Sequence, residues 1–138
     1  MLPKPVAGRL PLLVTGSSQQ NPDWIARHTD GWMTYPRAQQ QQAQLIDDFR
    51  ARIDIAGVAD KPVMEPLYLD LAADADEPAS PIHLGFRMGI NALCDYLESR
   101  EAIGVNHVAL NLRFNRVATE PTLKRLAEVI LPAFSQGV

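Results

Sequence analysis

Pro11-Leu-Leu-Val-Thr-Gly-Ser-Ser-Gln-Gln-Asn-Pro-Asp-Trp-Ile-Ala-Arg-His-Thr-Asp-Gly-Trp-Met-Thr-Tyr35 is the stretch whose reading decides the fold. Leu12 to Thr15 form a short continuous apolar run, as a strand buried on both faces would. Gly16, Ser17 and Ser18 break the run. Asn21-Pro22-Asp23 then reads as a helix start: Asn21 can accept from a free backbone N–H, and Pro22 at the first helical position sacrifices no hydrogen bond. Trp24 and His28 fall one turn apart on one face of that helix. Asp30-Gly31 is a turn, and Trp32 to Tyr35 a second short strand. A turn with a glycine and two hydroxyls therefore joins the C-terminal end of a strand to the N-terminus of a helix. Two readings stand at this point. Gly-Ser-Ser is ordinary turn chemistry. It is also where α/β proteins hold phosphates, because free N–H groups and the helix dipole favour an anion.

Outward from this stretch, strands and helices alternate. Residues 1–9, rich in proline and glycine, are an irregular lead-in, and Arg9 to Thr15 is the first strand. A long helix is expected over Ala38 to Ala56, with Leu45, Phe49, Ile53 and Ala56 as its apolar stripe and Gly57 at its end. The Gln39 to Gln42 run in its first turns reads as a solvated face. Pro62 to Glu65 reads as a loop. Pro66 to Ala72 is a strand of period two, Leu67, Leu69 and Leu71 on one face and Asp70 on the other. An acidic loop, residues 73–81, follows. Its Asp74, Asp76 and Glu77 lack the glycine and glutamate of a calcium loop, so a solvated loop is the better reading. Leu84 to Ile103 reads as a helix carrying Phe86, Ile90, Leu93, Cys94 and Leu97. Val105 to Leu112 is the fourth strand, with Val108, Leu110 and Leu112 on one side. After a loop holding Arg113, Thr119 caps a last helix, Pro121 to Phe134, whose stripe is Leu123, Leu126, Ala127, Ile130 and Phe134.

Four strands alternating with four helices imply parallel βαβ units. Strands whose apolar residues alternate with small or polar ones fit a barrel wall. The expected class is α/β: a (βα)4 half of a TIM-type (β/α)8 barrel, in one domain, 1–138. A full barrel takes about 250 residues; this chain has 138. A half-barrel leaves open strand edges and an uncovered face, so self-association or a complementary half-barrel is expected, the N-terminal half-barrel on the resemblance given below.

Composition narrows the function classes. The net charge of −3 gives no global attraction to nucleic acid or to an anionic membrane. Cys94 is the only cysteine, so no intrachain disulfide exists, which suits a reducing cytoplasm; its place in an apolar pattern reads as packing. No apolar run is long enough to span a bilayer, and the first residues lack a signal-peptide core. His28, His83 and His107 match no metal-ligand spacing. There is no Ser-His-Asp pattern and no Gly-x-Gly-x-x-Gly.

Val14-Thr-Gly-Ser-Ser-Gln, Trp24-Ile-Ala-Arg-His and Asp30-Gly-Trp-Met-Thr-Tyr-Pro36 resemble a segment of the bacterial-luciferase-like flavin-dependent monooxygenases. The likeness covers residues 10–37 and continues loosely through Gly104 to Leu112, with Thr29 where the family often has alanine. The resemblance implies that this chain corresponds to the C-terminal half of an eight-unit barrel. It implies that Gly16, Ser17, Ser18 and Gln19 hold the phosphate of FMN or of a related deazaflavin, which would do the redox chemistry of an oxidoreductase. Ser17, Ser18, Tyr35, Asp70, Asn111 and Arg113 are the polar groups expected at the barrel mouth. The other readings are a non-catalytic flavin- or phosphate-binding half-barrel and an oligomerising scaffold without ligand.

Overall fold

The computed structural model describes residues 4–134. The first three residues of the expected lead-in lie outside the described residues. Among residues 4–12 there is no helix or strand. The described residues form two compact units, one of residues 4–65 and 103–107, the other of residues 66–102 and 108–134.

The first unit holds β1 (Leu13–Thr15), α1 (Pro22–His28), β2 (Gly31–Met33), α2 (Gln39–Ala56) and the start of β3 (Val63–Leu71). β1 runs parallel to β2, Val14 opposite Trp32, and β2 runs parallel to β3, Met33 opposite Met64. α1 begins as its sequence dictates. The Asn21 Oδ1 accepts from the Trp24 N–H at 2.8 Å, and Pro22 takes the first position. Its Trp24 and His28 rings meet at 5.1 Å. Gly57 ends α2 in the left-handed region that glycine enters without strain. Trp32 stacks on Phe49 at 4.9 Å, so the alternate residues Val14 and Trp32 face the helices and are buried.

Three expectations in this unit are corrected. β1 is buried on one face only: Leu13 is 51% exposed, because its side chain lies over Gly31 on the strand face away from α2. Gln39 to Gln41 are exposed, but Gln42 is wholly buried. The stripe of α2 is Gln42, Ile46, Phe49 and Ile53, with Leu45 half-buried beside it. Val63 to Glu65, expected as loop, already belong to β3; Asn106 pairs with Val63 through both its N–H and its side-chain oxygen, at 2.8 and 2.9 Å.

Lys61 is buried in this unit and donates through Nζ to the Ala26 carbonyl at the end of α1. Burial lowers its pKa from the ordinary 10.5, and Asp30 opposes this only in part. Between the lowered folded value and 10.5 the unfolded chain holds the extra proton, so stability should rise with pH across that window. Chemical denaturation at rising alkaline pH should show this slope in the native chain and lose it in Lys61→Met.

The second unit holds the rest of β3, β4 (Ser80–Ile82), β5 (Gly85–Met88), α3 (Ile90–Ala102), β6 (His107–Asn111, of which Val108 onward belongs here) and α4 (Thr119–Phe134). β5 is parallel to β3 and antiparallel to β4. Leu67, Leu69 and Leu71 pack with Met88, Leu93, Leu97, Leu126 and Ile130, and Val108, Leu110, Leu112 and Cys94 close that core, as expected. Burial raises the Cys94 thiol pKa further, consistent with a packing role.

The hairpin is the main correction. Ser80 to Met88 is not loop running into helix but a β-hairpin, and α3 begins only at Ile90. Phe86 and Ile90 both reach the core, which imitates a helical repeat, yet Phe86 and Met88 alternate with Gly85 and Arg87 as a strand must. Thr119 is the first residue of α4 rather than its cap. Leu126 and Ile130 are buried as expected, joined by Thr122, whereas Leu123 and Ala127 are exposed.

Along the sheet the order is β1-β2-β3-β5-β4, with β6 also paired to β3. The fold class is α/β, a half of a TIM-type barrel in which the β4–β5 hairpin is inserted between β3 and α3. No helix among the described residues is long and apolar enough to cross a membrane.

Candidate functional site

The turn from Gly16 to Gln20 is fixed from below. The Gly16 N–H donates to the Met33 carbonyl at 2.7 Å, and its own carbonyl accepts from the Trp32 indole at 2.7 Å. The Gln20 N–H closes the turn on the Ser17 carbonyl, and the Ser18 hydroxyl donates back to the Thr15 carbonyl at 3.0 Å. Gly16, Ser18 and Gln19 have φ of 60°, 45° and 61°. That conformation is strained for serine and glutamine, at about 1–2 kcal/mol each. Strain of this kind persists only where the surroundings enforce it and clusters at ligand clamps. Its product is a run of three backbone N–H groups, on Ser17, Ser18 and Gln19, with no partner among the described residues. Successive amides in such a turn form an anion-binding concavity.

Beside the turn lies a cavity of about 410 Å³. Its floor is apolar, from Pro22, Ile25, Trp32, Leu45 and Phe49; Gly16, Ser17, Gln20, Thr34, Tyr35, Arg37 and Asp48 supply its polar edge. The Tyr35 ring stands 3.6 Å from where a Gly16 Cβ would be. Arg37 donates from one nitrogen to the Thr34 hydroxyl and the Tyr35 carbonyl, both at 2.9 Å, and reaches the Gln42 oxygen at 3.4 Å. The Gln42 amide nitrogen is buried with no hydrogen-bond partner among the described residues. Sequence reasoning missed Arg37 and Gln42. The available signal was the spacing of Gln42, Ile46, Phe49 and Ile53, which puts that glutamine on the buried stripe. Asp30 anchors the turn's approach. Arg9 and the Leu12 N–H both donate to it, and these bonds, that of Arg9 foremost, hold its pKa below the usual carboxylate range.

Of the expected cradle and mouth residues, Gly16, Ser17 and Tyr35 meet at this cavity. The Ser18 hydroxyl is committed to the turn itself, and Gln19 is exposed beside it. In the second unit Asp70 is not a free carboxylate. It accepts from Arg87 at 3.1 Å and from the Arg116 backbone N–H at 3.0 Å. The Asn111 side chain accepts from the Arg113 N–H at 2.9 Å, and the Arg113 guanidinium lies 5.7 Å from the Phe114 ring centre. No group of three or more His, Cys, Asp or Glu among the described residues could hold a metal ion.

No protein-family model matches this sequence, and no curated protein matches it. Solved structures do. An F420-dependent secondary alcohol dehydrogenase in complex with an F420-acetone adduct matches with a TM-score of 0.57 at 14% identity, over 74% of this chain and 43% of that one. DmoA from Hyphomicrobium sulfonivorans matches with a TM-score of 0.63 at 14% identity, over 89% of this chain and 41% of that one. At this identity the likeness shows the fold. The chain spans less than half the length of the structures it matches.

Proposed function

We propose that this chain is the flavin-phosphate-binding half of a luciferase-like oxidoreductase, with FMN or a deazaflavin as its ligand. The observation that carries the reading is the strained Gly16 to Gln19 turn and its three free N–H groups. The resemblance of residues 10–37 to the luciferase-like segment and the fold shared with an F420-dependent enzyme support it. The bound flavin would supply the redox chemistry. The chain's own part is to grip the phosphate through the amides of Ser17, Ser18 and Gln19 and the Ser17 hydroxyl, and to shield that grip with Tyr35 and the apolar cavity floor. The alternative, a half-barrel that binds flavin phosphate without catalysis, uses the same turn; reductant-driven oxygen uptake separates the two.

Ser17→Ala tests the grip. One hydroxyl bonded to an anion is worth about 1.5–3 kcal/mol, so FMN affinity should fall at least about tenfold. Binding of riboflavin, which lacks the phosphate, should not change. Equal losses for both ligands would contradict a phosphate role for Ser17.

A partner belongs to the same reading. Leu110, Leu112, Leu123, Leu126, Ala127, Ile130 and Leu131 line an open apolar groove of about 380 Å³ between β6 and α4. Such a face favours burial against a second copy or a complementary half-barrel. Sedimentation of the purified chain should give a mass above the 15.3 kDa of one copy; a monomer at all concentrations would leave only the complementary half.

A further inference from the structure

The β4–β5 hairpin carries an unusual tip. Ile82 faces Gly85, so the connection is the two residues His83 and Leu84. Connections this short favour Asn-Gly or Gly-containing pairs, because they demand positive φ. Here Leu84 takes that conformation, with φ of 56°, and is 53% exposed. The hairpin is pinned behind the tip, the Tyr68 N–H donating to the Leu84 carbonyl at 3.3 Å. His83 is thereby held edge-on to Tyr68, ring centres 6.4 Å apart, and to Phe114 at 5.8 Å. Tyr68 and Phe114 lie 5.4 Å apart with their planes inclined by 33°. Phe114 is 40% exposed, and His83 is exposed as well. Tyr68 is half-buried beside them; the two exposed rings of the cluster offer a stacking surface for a flat π-system.

One cation is placed on the cluster. Arg113 lies against Phe114, and its guanidinium has no acceptor among the described residues. A cation resting on an aromatic face with no partner suits a ligand whose flat ring carries an anionic substituent.

We propose that Tyr68, His83 and Phe114, with Arg113 beside them, form a binding platform for a planar aromatic anion. This site lies wholly within the second unit and does not depend on the phosphate reading of the Gly16 to Gln19 turn. The probe is 2-naphthoate, followed by proton NMR of the His83 imidazole and the Tyr68 and Phe114 rings in the full chain, with cyclohexanecarboxylate as the non-aromatic control. Saturable ring-current shifts at these three residues at low-millimolar naphthoate are expected, with cyclohexanecarboxylate binding at least about tenfold more weakly. Phe114→Leu and Arg113→Gln, both at exposed positions and checked for folding by circular dichroism, should each weaken naphthoate about tenfold and leave FMN binding at the turn unaltered. Equal binding of the two carboxylates, or shifts elsewhere than at these rings, would overturn the proposal. So would concentration-dependent self-association abolished by Phe114→Leu, which would assign the rings to a second copy.

Discussion

Gly85→Ala should separate β5 from β3 and destabilise the protein by more than about 4 kcal/mol, the range reserved for severe backbone or core damage. A Cβ at residue 85 would sit 1.8 Å from the Tyr68 carbonyl oxygen and 2.6 Å from its carbon. Those are backbone atoms of β3, so no rotamer change relieves the clash. Relief requires the strands to part, and with them the pairing from Tyr68–Gly85 to Leu71–Met88. The Ala72 N–H would lose the Met88 carbonyl, now at 2.9 Å, and Met88 would leave the core in which it is fully buried. Urea denaturation measures the loss. A cost below about 1 kcal/mol, the level of an ordinary surface change, would mean that the close approach at Gly85 does not exist.

The second large effect belongs to Asp70. Asp70 is 1% exposed, and its carboxylate accepts from the Arg87 guanidinium at 3.1 Å, the Arg116 backbone N–H at 3.0 Å and the Arg116 Nε at 3.1 Å. Removing one partner of a buried ion pair leaves the other uncompensated, at about 3–5 kcal/mol. Asp70→Ala should approach the lower end of that range, since Arg87 keeps Glu77 at 2.8 Å. Asp70→Asn retains an acceptor for the Arg116 N–H and should cost about half as much. Denaturant midpoints for the two variants check the order. If asparagine proved as damaging as alanine, the charge rather than the hydrogen-bond geometry would hold the β6–α4 loop to β3.

Both residues show why part of the fold was legible and part was not. Asn21-Pro22, the alternating Leu67, Leu69 and Leu71, and Gly57 carry their signals within a few positions, and the structure follows them. Gly85 carries no such signal. Its role is set by a backbone seventeen positions earlier in the chain, at Tyr68, and a helical reading of Phe86 and Ile90 satisfied every local rule. Asp70 was placed on the correct face of β3, but its partners Arg87 and Arg116 come from remote loops and strands. The candidate site divides in the same way. Its turn is four consecutive residues, so the Gly-Ser-Ser pattern points straight to it. The left-handed conformations of Ser18 and Gln19 are invisible in their residue types, because glycine is the usual mark of such geometry. Arg37 and Gln42 were hidden by composition. One looked like a linker residue and the other like the last of a polar run, until Gln42 proved fully buried.

The apolar surface follows from the same physics. A helix stripe deduced from spacing alone assumes that something covers it. Leu126 and Ile130 of α4 are covered by β3 and α3 residues, whereas Leu123 and Leu131 remain open, 53% and 59% exposed. The apolar pattern of α4 is thus wider than the face that β3 and α3 cover.

The claim that the Gly16 to Gln19 turn grips a flavin phosphate is tested most directly by an amide-resolved NMR titration of the chain with FMN, run beside riboflavin. The predicted result is saturable movement of the Ser17, Ser18 and Gln19 amide signals with FMN, as their free N–H groups acquire an acceptor, and little movement with riboflavin. Unmoved amides at these three positions under FMN, or equal movement under both ligands, would contradict it.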